Sequence, residues 1–357
     1  MRLPNRFEST GADRIHQDET VARGIALRQS AYCWKSLRRT LLLTLQCSIS
    51  AVLVAVTPQA TAGESLLARA WLDLQQLSSD YMAGRFPGSA GHQRAQQYIV
   101  QRFTELKLQP VLTDYRQPFQ FQSGFFSQSS GVNLVATITG CTFPQFYVVI
   151  TAHYDHLAPS GSKIFNGADD NASGVAGLLY LAGKLSQSCP VYSYIFIATD
   201  AEEQGLDGAK AWLAQSPVPV AQQLLNINLD MISRGEKRQR LYLAGQRELP
   251  ELSQMPTRQH QQVKLVLGHD GRSRVGMART SGGIDWSNAS DHAVFRRAGI
   301  PYMYFGVDVH RHYHTTDDDW QKIDPEFFSS ALQLIHHSVS WVEQQPPALF
   351  IGARRPR

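Results

Sequence analysis

The 357-residue sequence predicts an α/β fold: a single globular domain whose central sheet is mostly parallel, with helices on both faces. Three observations predict it. Short, continuous apolar runs (FYVVITA, YIFIAT and LLNINL) alternate with stretches of helical periodicity, the pattern of parallel strands buried on both sides. Hydrophobic residues make up 43% of the chain and charged residues 18%, which excludes disordered, collagen-like and low-complexity classes. No internal repeat or low-complexity linker interrupts the stretch from residue 63 onward, and its length suits one large α/β domain.

The elements follow in order. Residues 64–86 have helical spacing (Leu66, Leu67, Ala70, Trp71, Leu74, Leu77), and the turn-rich loop RFPGSAG follows at 85–91. A second helix is expected over 92–107, where Ala95, Tyr98, Ile99, Phe103 and Leu106 share a face. A strand-rich stretch covers 117–138. Then come strand 146–151, helix 173–186, strand 192–199, helix 206–215 and strand 224–229. Residues 235–290 are polar and weakly periodic, and are read as strand 240–244, a helix and a variable loop region. Strand 301–306 precedes a last helix that starts at Asp324-Pro325-Glu326 (N-cap, Pro at the first helical position, early acidic residue) and runs to about Gln344. The basic tail, 348–357, is expected to be loose.

The N-terminal stretch reads differently. Lys35, Arg38 and Arg39 precede an apolar run from Leu41 to Val56, and Ala60-Thr61-Ala62 gives a small-residue cleavage site before Gly63. Residues 1–62 are therefore expected to be an extension and signal peptide, with an h-region at 41–56 and cleavage near 62/63. The mature domain spans 63–347, and the protein is periplasmic or secreted; an uncleaved membrane anchor is the alternative. The apolar run is short for a membrane span. Residues 1–62 hold eight Lys/Arg and four Asp/Glu, which accounts for the whole net charge of +4. The body is electrically balanced, so its charge gives no reason to expect a nucleic-acid partner. Four Cys are present. Two of them, Cys141 and Cys189, each precede a strongly apolar strand. If those strands are sheet neighbours the sulfurs meet at their N-terminal ends, and an oxidising compartment permits a disulfide. Two free, partly buried thiols are the other reading.

Metal-type ligands cluster just past the strand ends. FYVVITA ends in His153-Tyr154-Asp155, and the next loop carries Asp169-Asp170-Asn171 before a helix. YIFIAT ends in Asp200-Ala201-Glu202-Glu203, LLNINL ends in Asp230, and YMYFGV runs into the loop holding His314. Ligands of open α/β sheets bind outside the carboxyl ends of the strands, so these side chains converge on one edge. Imidazole with carboxylate suits zinc rather than magnesium or calcium. Two His and three carboxylates are too many for one tetrahedral zinc with an open position, but suit two metals that share a bridging Asp. Of the adjacent Glu202 and Glu203, one can bind metal while the other serves as general base. Asp155, two residues after His153, is placed to orient the imidazole.

The motifs HYDH, GADDNASG, DAEEQGLDGAKAW, NLDM, SDHAVF and HYHTTDD, in that order, closely resemble the M28 metallopeptidases, co-catalytic di-zinc aminopeptidases of bacterial secreted type. The resemblance runs from about Leu77 to the end of the last helix. It implies two zinc ions per chain, held by His153, Asp170 as the bridge, Glu203, Asp230 and His314. It further implies Glu202 as the base, Asp155 as support for His153, and removal of N-terminal residues from peptides or proteins. No stable membrane partner is expected after signal cleavage. RFPGSAG resembles an N-terminal feature of many members. One departure concerns the oxyanion donor: some members carry a Tyr three residues before SDH, where this sequence has Ser287 beside Trp286. The family's other branch, the glutaminyl cyclases, binds one zinc and lacks the full GADD pattern.

Other readings stand beside this one. His156, His260, His269, His336 and His337 are expected to be surface or packing residues. His310 and His312 crowd His314, with His312 its main rival. Asp169 is expected to support the loop, and Asp318 either braces the metal site or belongs to a solvated turn. A carboxypeptidase on the same scaffold would need a cationic clamp, for which Arg272, Arg274 and Arg279 are candidates. A non-catalytic binding module is the remaining class.

Overall fold

The computed structural model describes residues 65–123, 127–256, 258–273 and 284–354. The expected export segment falls outside the described residues, as do Arg274 and Arg279 of the variable region.

Helix α1 (Leu66–Leu77) is capped by Ser65, whose side chain accepts from the Ala68 N–H. It ends nine residues short of the expected 86. Ser78 and Ser79 turn their hydroxyls back onto the carbonyls of Leu74 and Gln76, a local alternative to continued helix. The chain then makes a 3₁₀ segment, Asp80–Arg85, in which Ala83 and Gly84 are left-handed. Helix α2 (Ala90–Glu105) starts at a Ser89 N-cap inside RFPGSAG. Strands β1 (Gln109–Pro110), β2 (Arg116–Gln122) and β3 (Gln128–Ile138) resolve the strand-rich stretch; β2 and β3 pair antiparallel. Strand β4 (Phe143–His153), helix α3 (Gly174–Leu185), strand β5 (Tyr192–Thr199), helix α4 (Asp207–Gln215) and strand β6 (Gln223–Leu229) then alternate.

The variable region departs most from expectation. Strand β7 (Arg240–Ala244) is present, but the expected helix is replaced by a 3₁₀ turn, Pro250–Gln254, and by strands β8 (Gln259–His260) and β9 (Val263–Leu267). Short strands β10 (Arg272–Ser273) and β11 (Ile284–Asp285) form a separate pair. Helix α5 (His292–Arg297) and strand β12 (Tyr302–Gly306) follow. Helix α6 (Pro325–Val342) starts as expected, with the Asp324 carboxylate accepting from the N–H groups of Glu326 and Phe327. Within the tail, Pro347–Gly352 forms helix α7, with Phe350 fully buried, where a loose segment was expected; residues 355–357 lie outside the described residues.

The described strands build a mixed sheet in the order β1-β3-β5-β4-β6-β12-β7-β9-β8, with β2 on β3. Its centre is parallel: β4 pairs with β5 and β6, and β6 with β12. Side chains alternate between faces, as strand geometry requires. Val148, Ile150 and Ala152 of β4 pack into the large core with α1, α2, α3 and α6, whereas Val149 packs into the smaller core holding Trp212 of α4 and Phe295 of α5. Helices therefore cover both faces. Because β4 and β5 are neighbours, Cys141 and Cys189 meet and form a disulfide, with Cα atoms 5.8 Å apart, inside the usual range.

Candidate metal centre

Four adjacent parallel strands, in the order β5-β4-β6-β12, point their carboxyl ends at one place. His153 is the last residue of β4. Glu202 and Glu203 follow β5, Asp230 follows β6, and His314 lies in the loop after β12. The loop between β4 and α3 supplies Asp170. All seven residues named from the sequence, Asp155 included, come together here.

His153, Glu202 and Asp230 bring one ligand atom each within 4.8 Å of one another, and His156, Asp170 and Glu203 do the same. Asp170 links the two groups. Its Oδ1 lies 3.3 Å from His153 Nε2, and its Oδ2 lies 3.0 Å from His314 Nε2. His153 Nε2 is also 3.4 Å from Asp230 Oδ1, and His314 Nε2 is 3.3 Å from Glu203 Oε1. The rivals of His314 are engaged elsewhere. His310 meets Asp169 Oδ2 at 3.0 Å, and His312 Nε2 accepts from Arg311.

His156 is a correction. It was expected to be a surface or packing residue, but it is fully buried in the second cluster, and its Nδ1 donates to Glu203 Oε1 at 2.9 Å. Only its place one residue after Asp155, in HYDH, hinted at this.

The surrounding contacts fix these groups. His153 Nδ1 donates to the Asp155 carbonyl at 3.2 Å, which leaves Nε2 to face Asp170 and Asp230. The Asp155 carboxylate accepts the backbone N–H of Glu202 at 3.1 Å and of Glu203 at 3.4 Å. The carboxylate thus positions the glutamate pair, whereas the imidazole is held by the backbone carbonyl of the same residue, with the carboxylate 3.8 Å from Nδ1. Asp318 accepts the N–H groups of Asp169 and Asp170, so it braces the loop rather than lying in a solvated turn. Burial pushes its carboxyl up to about 6. Asp169 accepts from Ser233 and meets His310, a loop-supporting role. Gly167 opens the loop at φ +54, where a Cβ would lie 2.2 Å from the Asp170 carbonyl and 2.7 Å from the His156 ring. Only glycine fits there.

Arg85, from RFPGSAG, is a residue whose place the sequence left unassigned. Its guanidinium is buried and donates to the carbonyls of Leu77, Tyr154, Asn166 and Gly167 at 2.6–3.0 Å. Burial lowers it to about 10, against the pull of Asp170, Asp155, Asp318 and Glu203.

Charge is unequal across the two glutamates. Burial holds the Glu202 carboxyl well above the usual range; His153 works against that shift, and Asp230 and Glu203 add to it. Burial and the Asp170 charge also push Glu203 up, but the hydrogen bond from His156 and the nearby imidazole of His314 outweigh them and hold it below its usual value. The residue set fits zinc in ligand type, since imidazole and carboxylate are its common donors. It also fits in its unmet needs. Asp230 Oδ1 and His314 Nε2 are buried and make no hydrogen bond among the described residues. His314 Nε2 is 3.0 Å from a carboxylate oxygen without hydrogen-bond geometry. A cation between such atoms satisfies both.

The centre opens into a cleft of about 1090 Å³, lined beyond it by Trp286, Tyr304 and Tyr313 and by a basic wall. Tyr313 stacks on His314 with ring centroids 3.8 Å apart. Ser287, where a Tyr stands in some M28 members, gives its hydroxyl to Asp285 at 2.6 Å.

Comparison with known proteins agrees with this architecture. The sequence pattern of peptidase family M28 matches residues 133–339, more than half of the chain. The alkaline phosphatase isozyme conversion protein of Escherichia coli (strain K12) is 28% identical over 243 residues, 62% of this chain and 67% of that protein. Aminopeptidase YwaD of Bacillus subtilis (strain 168) is 31% identical over 201 residues, 54% of this chain and 40% of that protein. The chain thus spans well under half of that relative. Among solved structures, a zinc aminopeptidase from Bacillus subtilis superposes with a TM-score of 0.59 at 16% identity, covering 78% of this chain and 96% of that one. The glutaminyl cyclase of Porphyromonas gingivalis gives a TM-score of 0.60 at 19% identity, covering 77% and 98%. These two likenesses show the fold. With the family pattern spanning the strands and loops that carry the centre, the chain belongs to peptidase family M28.

Proposed function

We propose that the protein is a two-zinc aminopeptidase that removes N-terminal residues from peptides or proteins. The observation that carries this reading is the shared Asp170, which faces His153 with one oxygen and His314 with the other. In this reading His153, Asp230 and Asp170 hold one zinc. Asp170, Glu203 and His314 hold the other, with His156 fixing Glu203. When bound, the metals supply Lewis-acid polarisation of the scissile carbonyl and a water of lowered pKa.

The chain's own residues do the rest. Glu202 takes the proton from the attacking water and delivers it to the leaving amine. Its raised proton affinity, caused by burial, suits that exchange. Asp155 holds Glu202 in place through the backbone N–H and holds His153 in one tautomer. Arg85 fixes the carbonyls on either side of the centre, at Tyr154 and Gly167. The protein acts outside the cytoplasm in this reading. Support comes from the signal-like segment of residues 1–62 and from the Cys141–Cys189 disulfide, which persists in oxidising compartments.

Cyclisation of N-terminal glutamine is the second reading that an observation favours, through the shared fold of the cyclase. One experiment separates them: tripeptides with a free, an acetylated or a glutaminyl N-terminus, assayed with and without chelator and zinc. We expect the free N-terminus to be cleaved, the acetylated one to react at least about 100-fold more slowly, and chelator to stop release until zinc is restored. Equal cleavage of the acetylated peptide, or loss of ammonia from glutaminyl peptide without hydrolysis, contradicts the proposal.

A further inference from the structure

The cleft of the metal centre is also lined by cations. Arg234, Lys237, Arg238, Arg240 and Arg311 line it, against Glu236 and Asp308. Four of these five cations are exposed rim residues, whose pairs with solvent-facing acids are worth little. Arg234 is different. It is 8% exposed, four residues past Asp230, and its backbone is held where Ser233 bonds Asp169. Its Nη2 meets the exposed Glu236 at 3.2 Å. Its Nε and Nη1 are buried and have no hydrogen-bond partner among the described residues.

A buried guanidinium with donors left over is a poor structural element. Buried polar groups are ordinarily paired, and Arg85 in the same domain shows the ordinary solution, with every nitrogen bonded to a carbonyl. Arg234 instead lines the same cleft as the metal centre, which is roomy enough for several peptide residues. A guanidinium offers five N–H donors in a fixed fork, whose best complement is a carboxylate.

We infer that Arg234 is the binding site for a carboxylate of the peptide substrate, so that anionic peptides are preferred over their neutral counterparts. The carboxylate is either the C-terminal α-carboxylate of a short peptide or the side chain of an Asp or Glu near the scissile bond. The exposed cations around it draw such a peptide in without specifying it. This inference rests on the aminopeptidase reading for the direction in which the peptide lies.

The test uses matched pairs: Leu-Ala-Ala as acid and as C-terminal amide, Leu-Glu-Ala-amide against Leu-Gln-Ala-amide, and Glu-Ala-Ala-amide against Gln-Ala-Ala-amide. In the wild-type protein at least one pair should favour the carboxylate by about 10- to 100-fold in kcat/KM, mostly through KM, as loss of a charged hydrogen bond requires. The pair that responds identifies the source of the carboxylate. In Arg234→Met that preference should collapse towards one, and Arg234→Lys, which keeps the charge without the fork, should retain part of it. Equal rates within every wild-type pair overturn the inference, and so does a preference that survives in Arg234→Met. Should Arg234→Met not fold, the wild-type pairs and Arg234→Lys still decide. Calorimetric binding of the same peptides to the zinc-loaded Glu202→Gln protein reads the preference without turnover. A failed aminopeptidase reading, seen as cleavage of acetylated peptides, is thus told apart from a failed carboxylate site.

Discussion

Glu202 and Glu203 are chain neighbours with opposite electrostatic surroundings. Glu203 is held ionised by two imidazoles, whereas Glu202 is buried among carboxylates and keeps its proton more readily. In the proposed mechanism Glu203 is the ligand and Glu202 the base, and that difference is consistent with the division. Glu202→Gln should lower kcat by about 100- to 10,000-fold, the usual worth of a positioned general base, while zinc content stays unchanged. Near-full activity, or loss of zinc along with activity, would show that Glu202 is not the base. The residues that gather at the centre were legible in the sequence because strand ends place them by topology. His156 was not, because a lone His beside an apolar strand is more often packing than chemistry. Its role becomes visible only when the bend after β4 brings its ring to Glu203. Arg85 was unassigned for a similar reason: its partners are carbonyls, which leave no trace in side-chain spacing.

The loop from β4 to α3 is held from two sides. Arg85 holds it from the side of the 3₁₀ segment, through Asn166 and Gly167, and Asp318 holds it through Asp169 and Asp170. Removing the guanidinium leaves four buried carbonyls without that donor, each costing about 1 kcal/mol or more. Arg85→Met should therefore lower the stability of the metal-free protein by at least about 3 kcal/mol, read by chemical denaturation. A change below about 1 kcal/mol would mean that solvent or a rearranged loop replaces Arg85. Elements with one dominant signal were readable in advance. The central strands are continuous apolar runs, and α6 carries both an N-cap and a proline at its start. Elements decided by competition were not. The Ser78-Ser79 pair ended α1 early by bonding its own carbonyls, and the polar 235–290 stretch gave β8 and β9 where a helix was expected. Helix α7 was missed because the burial of Phe350 depends on a contact across the fold, against Tyr192 of β5.

Across the whole domain, the sheet order explains why chemistry drawn from positions 153 to 314 is local in space. Each central parallel strand delivers its carboxyl end to the same rim, and helices pack on both faces of the sheet behind it. The same order brings Cys141 to Cys189 at the opposite ends of β4 and β5. The cleft is lined both by the carboxylates and imidazoles of the centre and by five cations, with Glu236 and Asp308 among them. This arrangement suits a peptide whose scissile bond and anionic group are read separately. Everything in the account depends on the carboxylate-rich side holding two cations. The most direct measurement is therefore elemental analysis of zinc in the purified, dialysed domain from Gly63 to Arg357, alongside free-N-terminus peptidase activity. We expect close to two zinc per chain, with activity that chelator removes and zinc restores. One zinc per chain without peptide hydrolysis, or none at all, would contradict the two-metal centre and the function built on it.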